Sequence, residues 1–222
     1  MSKLKLSVLI YQNSNETFVL LARLASIHNP VAIALTKTHI SDEIEDSEIN
    51  IDGWSHFRGD RLNRKCGGTI IYVREGQTVS NETSYSNEYC DMSGVFVSNR
   101  NLAIVSIYHP PACPSAKFSD MLSFMNKWLK SVTEIYNAPN IYITGDYNLK
   151  FLEDWNHELI QSYSDTVVCR LSEDAVIANE KLQAQELILF SESWNLTQTV
   201  KEPTRLDDIL DLIFINNSVY IS

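Results

Sequence analysis

Asp146 and Asn148 combine side-chain types and a spacing that could work on a phosphate group. They lie in the run Asn140-Ile141-Tyr142-Ile143-Thr144-Gly145-Asp146-Tyr147-Asn148-Leu149. Residues 141–144 are apolar or β-branched and read as a buried strand. Gly145 reads as the point where the backbone turns sharply at the strand's end. Such a turn would set a carboxylate and a carboxamide side by side at the mouth of a sheet, where they can orient a water and a phosphate. A plain turn also produces Gly-Asp after a strand, so the string alone leaves both readings open.

The elements that must hold these residues follow from apolar periodicity. Strand-like runs occur at residues 4–11, 31–36, 69–73, 92–97, 102–108, 141–144 and 210–215. Helical spacing marks residues 18–27, 117–136 and 180–194. In the second helix Phe118, Met121, Leu122, Phe124, Met125, Trp128, Leu129 and Val132 recur near every 3.6 residues, a core face, with Ser115 or Ser119 as its expected N-cap. Strands in adjacent pairs, mixed with separated helices, argue for α/β layers and against a purely doubly wound sheet. Three prolines in His109-Pro110-Pro111-Ala112-Cys113-Pro114 cannot sit in a central ladder. Tyr108 and His109 therefore end a strand at a rim, where ligand sites form in layered folds. Successive side chains alternate across a strand, so His109 is expected to face away from Tyr108, as a surface or loop histidine.

Composition narrows the class. The 222 residues suit one domain spanning 1–222, and 44% apolar with 21% charged content is globular. No apolar run approaches the roughly 20 residues that span a bilayer. The first residues read as a strand, not a secretion signal, which predicts a nuclear or cytoplasmic protein without membrane partners. Cys66, Cys90, Cys113 and Cys169 include no Cys-x-x-Cys pair, so reduced thiols are expected and structural zinc is not. A formal net charge of −10 opposes nonspecific binding to nucleic acid. Arg58, Arg61, Arg64 and Lys65 run against that balance; they read either as a solvated loop or as a phosphate-facing edge for nucleic acid.

Taken in order, these signals resemble a known family. Tyr11-Gln12-Asn13 ends the first strand and Ala34-Leu35-Thr36-Lys37-Thr38-His39 the second. Asp60-Arg61 precedes Gly67-Gly68-Thr69-Ile70-Ile71-Tyr72-Val73. Ile107-Tyr108-His109-Pro110-Pro111 and Gly145-Asp146-Tyr147-Asn148 follow, then Glu202-Pro203-Thr204-Arg205 and Leu210-Asp211-Leu212-Ile213-Phe214. The ordered set resembles the endonuclease/exonuclease/phosphatase superfamily, and more narrowly the apurinic-type endonuclease domain of non-LTR (LINE-like) retrotransposons. That resemblance implies a four-layered α/β sandwich of two packed sheets between helices. It implies a phosphodiesterase that nicks DNA, uses Mg²⁺ or Mn²⁺, and belongs with the remainder of a retrotransposon polyprotein. It places Asn13 near the metal, Tyr108 on the scissile phosphate, and Asp146 with Asn148 around the attacking water. Asp211 is placed behind a catalytic histidine.

Two departures bear on activity. Lys37 stands where the family pattern has its metal-binding glutamate, and an ammonium cannot coordinate a hard cation. The family's terminal Ser-Asp-His occurs nowhere in the sequence, which implies a missing C-terminal strand. The expectation is a weak or inactive nuclease, with a Lys37–Asp146 ion pair filling the metal position. The alternatives are a non-catalytic nucleic-acid- or protein-binding module on the same fold, and a small-molecule or lipid phosphatase.

Overall fold

The computed structural model describes residues 6–10, 21, 23, 25–62, 66–149, 173–202, 204–205 and 209–216. Among the described residues ten strands form two sheets, and helices cover their outer faces. The first sheet has the order β1 (Leu6–Ile10), β2 (Ala32–Thr36), β4 (Thr69–Arg74), β3 (Trp54–Gly59). The second runs β5 (Val79–Ser86), β6 (Asp91–Val97), β7 (Leu102–Tyr108), β8 (Asn140–Asp146), β10 (Asp211–Ile215), β9 (Thr197–Gln198).

Burial pattern explains which strands form where. Every residue of β7 is buried, because both faces of this central strand are covered. The edge strand β5, with sequence VSNETSYS, alternates half-buried and exposed side chains, Val79 and Tyr85 resting on the core and Ser80, Glu82 and Ser84 in water, as suits an edge open to water. The two sheets meet through Ala32, Ala34, Ile71, Val73, Val95, Val97 and Ile104. Leu21 and Ala25, both helical, pack on the outer face of the first sheet with Ile33, Leu35 and Ile70.

The outer face of the second sheet is covered by α1 (Ser115–Ile135) and α2 (Glu173–Ser193). The expected apolar face of α1 is buried, Phe124 only partly. Its expected serine N-cap is not: Pro114 is the cap residue and makes no side-chain capping bond. Asn179 of α2 takes that task, its Oδ1 accepting from the Ser115 amide at 2.9 Å, so one helix closes the open end of the other.

One topological fact positions the site. β7 and β8 are parallel, joined by the α1 crossover, and Tyr108 registers opposite Asp146. β10 is antiparallel to β8, with Asp211 opposite Asp146. The C-terminal ends of β7 and β8 and the N-terminal end of β10 therefore share one rim. The first sheet brings Lys37 to the same rim. Thr36 Oγ1 donates to the Ile107 carbonyl at 2.9 Å, and Ser106 Oγ to the Leu35 carbonyl at 2.8 Å.

Candidate active site

Asp146 is the centre of the rim. The turn expected at Gly145 lies elsewhere, since Gly145 and Asp146 both belong to β8 and the left-handed residue is Asn148, with φ of 48°. Gly145 is needed for space. A Cβ there would lie 2.0 Å from the Ile107 carbonyl oxygen of the neighbouring strand. Glycine lets β8 close on β7 and brings the Asp146 carboxylate under the loop that follows β2.

That loop is wound tightly. Lys37 and His39 both have left-handed φ, 57° and 56°. The Thr38 amide donates to the Gly68 carbonyl at 3.2 Å and the His39 amide to the Gly67 carbonyl at 2.8 Å. Gly68 is in turn the residue the loop can approach, because a Cβ there would meet Thr38 Oγ1 at 2.5 Å. The winding aims Lys37 inward, and its ammonium pairs with Asp146 Oδ2. The lysine side chain keeps 24% of its surface exposed while the aspartate keeps 2%. Lys37 Nζ also stands 6.0 Å from the centre of the Tyr108 ring, within reach of a cation–π attraction.

Asn148 and His109 lock the other side. The Asn148 Nδ2 donates to the His109 carbonyl at 2.8 Å, and the His109 amide to the Asp146 carbonyl at 2.9 Å. A ring nitrogen of His109, Nδ1, bonds the Tyr147 carbonyl. The expectation of a surface histidine is corrected here, because His109 is fully buried. Strand alternation still holds, because His109 faces away from Tyr108, onto the α1 side with Ala103, Val105 and Ile107, where its ring meets Phe118 edge-on; that side is covered by the helix, so the histidine is buried.

Asp211 faces this centre from β10. Partial burial and the charge of Asp146 push its carboxyl up to about 6. Thr204 Oγ1 accepts from the Leu210 and Asp211 amides at 3.0 and 3.1 Å and fixes the entry to β10. Sequence reasoning gave Thr204 no role; its only signal was the Glu-Pro-Thr-Arg string.

Two carboxylates with one ammonium between them do not fit a hard divalent cation. Asp146 Oδ1 and Asp211 Oδ1 lack hydrogen-bond partners among the described residues, but Lys37 already holds the positive charge at Asp146. A cation entering beside Nζ would meet like charge at close range, worth about 4 kcal/mol of repulsion per unit charge at roughly 4 Å and an effective dielectric near 20. Among the described residues no third acid joins the two to complete a ligand set. Asn13 lies outside the described residues.

The basic cluster divides. All five guanidinium donors of Arg58 are taken, by the Asp60 carboxylate, the Asp46 carboxylate and the Ile44 and Ser41 carbonyls. Arg58 lines a groove of about 480 Å³ that also contains Asp46 and Glu82, acids that oppose a polyanion. Arg61 Nη1 stands 3.5 Å from His39 Nδ1, on the loop beside Lys37. Arg64 and Lys65 lie outside the described residues.

No protein-family model and no curated protein matches the chain. Solved structures match over nearly its whole length. The endonuclease domain of TRAS1, a telomere-specific non-LTR retrotransposon, superposes with a TM-score of 0.56 at 13% identity, covering 96% of this chain and 84% of that one. The 3′ phosphatase NExo from Neisseria, bound to product DNA hairpin, gives 0.59 at 12% identity over 96% and 86%. An endonuclease/exonuclease/phosphatase family protein from Bacteroides thetaiotaomicron gives 0.56 at 10% identity over 97% and 81%. The chain has the endonuclease/exonuclease/phosphatase fold. A nuclease domain and a phosphatase superpose almost equally well, so the fold leaves the reaction to be argued from the side chains.

Proposed function

We propose that this chain is an endonuclease-type phosphodiesterase domain of retrotransposon origin whose cation-dependent step is disabled, leaving weak DNA nicking or none. The observation that carries this reading is the ion pair between Lys37 and Asp146. In the endonuclease reading Asp146 is the group that draws a proton from water. A carboxylate held by an ammonium is a poor base, and the same ammonium repels Mg²⁺ or Mn²⁺.

The remaining residues keep parts of a phosphate site. Tyr108 shares the rim with Asp146 and would donate to a phosphate oxygen. Asn148 has its amide nitrogen engaged by the His109 carbonyl, so its role is to fix the strand ends. Asp211, neutral below about pH 6, would tolerate a phosphate beside it only while protonated. The likeness to a retrotransposon endonuclease domain and to a DNA-bound phosphatase supports DNA as the substrate class. The Glu-Pro-Thr-Arg and Leu-Asp-Leu-Ile-Phe strings support the retrotransposon branch.

The test is nicking of supercoiled plasmid with Mg²⁺ or Mn²⁺. The wild-type chain should nick feebly or not at all. Lys37→Glu, made in a chain extended by a Ser-Asp-His strand, should nick measurably, and adding Asp146→Ala should abolish that. Robust nicking by the wild type that disappears with Asp146→Ala would overturn the proposal. DNA retention without nicking in every variant would favour a binding module.

A further inference from the structure

Cys90, His109 and Cys113 meet in the core beneath α1, although 23 residues separate the two cysteines. All three are buried, and one ligand atom from each lies within 4.8 Å of the others. The two sulfurs are 3.4 Å apart and form no disulfide. Two thiolates on one tetrahedral zinc, each about 2.3 Å from the ion, lie roughly 3.8 Å apart, whereas a disulfide holds its sulfurs at about 2.0 Å. The observed separation excludes a disulfide; one thiol donates to the other at a distance that two thiolates on a shared ion would need to open only slightly.

The histidine is set as a metal ligand usually is. Its Nδ1 bonds the Tyr147 carbonyl, which fixes the proton there and turns the Nε2 lone pair free. Nε2 is buried and has no hydrogen-bond partner among the described residues, and burying such an atom unsatisfied is unfavourable. Each cysteine is also held in place. Asn87 Oδ1 accepts from the Cys90 amide at 2.7 Å. The Cys113 carbonyl accepts from Asn179 Nδ2 at 2.8 Å and from Gln183 Nε2 at 2.6 Å. Phe118, Met121 and Ile107 belong to the same apolar cluster, so a bound ion should leave little net charge.

We propose that Cys90, His109 and Cys113 bind a thiophilic d¹⁰ cation, Zn²⁺ or Cu(I), through two thiolates and the imidazole Nε2. Both thiols lose their protons to solvent on binding. Two thiolates neutralise Zn²⁺ and leave one negative charge with Cu(I), so charge balance favours zinc. Soft sulfur and imidazole ligands exclude Mg²⁺ and Ca²⁺. The site would clamp the 109–113 loop to Cys90, just before β6, and His109 is already tied to Asp146, Tyr147 and Asn148 at the end of β8. It is separate from the Lys37–Asp146 pair and does not depend on nuclease activity.

The test is elemental analysis of the full chain purified without chelators, beside Cys90→Ala and Cys113→Ser. The wild type should carry about one equivalent of zinc or copper per chain, and the variants less than about a tenth of that. Which metal is found decides between the two ions. Should the variants fail to fold, Co²⁺ titration of metal-stripped wild type supplies the second readout. It should give thiolate-to-cobalt charge-transfer bands that saturate at about one equivalent. A folded wild type that holds no zinc or copper and gives no such bands would overturn the proposal. So would intact mass showing the loss of two hydrogens that maps to a Cys90–Cys113 disulfide.

Discussion

Lys37→Met removes one charge and little else. Methionine keeps an unbranched stem beside Tyr108, and like lysine it must bear the left-handed backbone at this position. What changes is Asp146. Its carboxylate stays at 2% exposure, with Oδ1 unbonded among the described residues and Asp211 across the ladder. Stranding one partner of a buried pair costs about 3–5 kcal/mol. Lys37 is about a quarter exposed, so water already screens part of the attraction, and we expect about 3 kcal/mol at pH 8. In a domain of this size that lowers the thermal midpoint by about 6–12 °C. Asp146→Asn should cost only about 1 kcal/mol, because the lysine it releases can turn to solvent. The double variant Lys37→Met/Asp146→Asn should then resemble Asp146→Asn alone, a coupling of about 3 kcal/mol. Urea denaturation of the four proteins measures the cycle. If Lys37→Met falls within about 0.5 kcal/mol of wild type, or the two changes add, the ammonium is not the counter-ion of Asp146 and the reasoning fails.

Two further changes probe the same rim. Asp211 has a raised folded-state pKa of about 6 against an ordinary 3.8. The stability it contributes is therefore complete below about pH 4 and is lost as pH rises toward about 6, with no further change above. A shift of about two units is about 3 kcal/mol for a fully buried group, and solvent at this half-exposed side chain reduces it to about 1.5 kcal/mol. Asp211→Asn should match wild type at pH 4 and exceed it by about that amount at pH 8; urea midpoints that differ equally at both pH values would contradict this. Gly145→Ala drives a methyl group into the Ile107 carbonyl and should cost about 3 kcal/mol or more. A circular-dichroism melt within about 2 °C of wild type would show that β7 and β8 separate more easily than their register implies.

Legibility followed hydrophobic contrast. β7, β8 and α1 bury continuous or periodic apolar residues, and the sequence marked them within a few positions. β3 and β5 are edge strands, half-buried over much of their length, and WSHFRG and VSNETSYS hold too few apolar residues for apolar periodicity to mark them. The two-residue β9 is set by its pairing with β10, a contact between distant segments. At the rim, Asp146, Tyr108 and Asn148 were legible because their strings close strands, while Asp211 and the Lys37–Asp146 contact were expected through the family resemblance that aligned those positions. The burial of His109 and its meeting with Cys90 and Cys113 were not. They depend on how the proline loop folds beneath α1, and the Cys spacing of a local metal motif is absent. Arg58 looked like one of four similar cations; only the positions of Asp46, Asp60 and two carbonyls reveal it as a brace.

Mn²⁺ binding followed by electron paramagnetic resonance bears most directly on the claim that Lys37 takes a cation's place. Mn²⁺ prefers oxygen ligands and avoids the thiolate cluster, so it reports on the rim alone. The wild-type chain should leave Mn²⁺ free in solution, while Lys37→Glu should bind it and lose it again when Asp146→Ala is added. Stoichiometric binding by the wild type that disappears with Asp146→Ala would contradict the account.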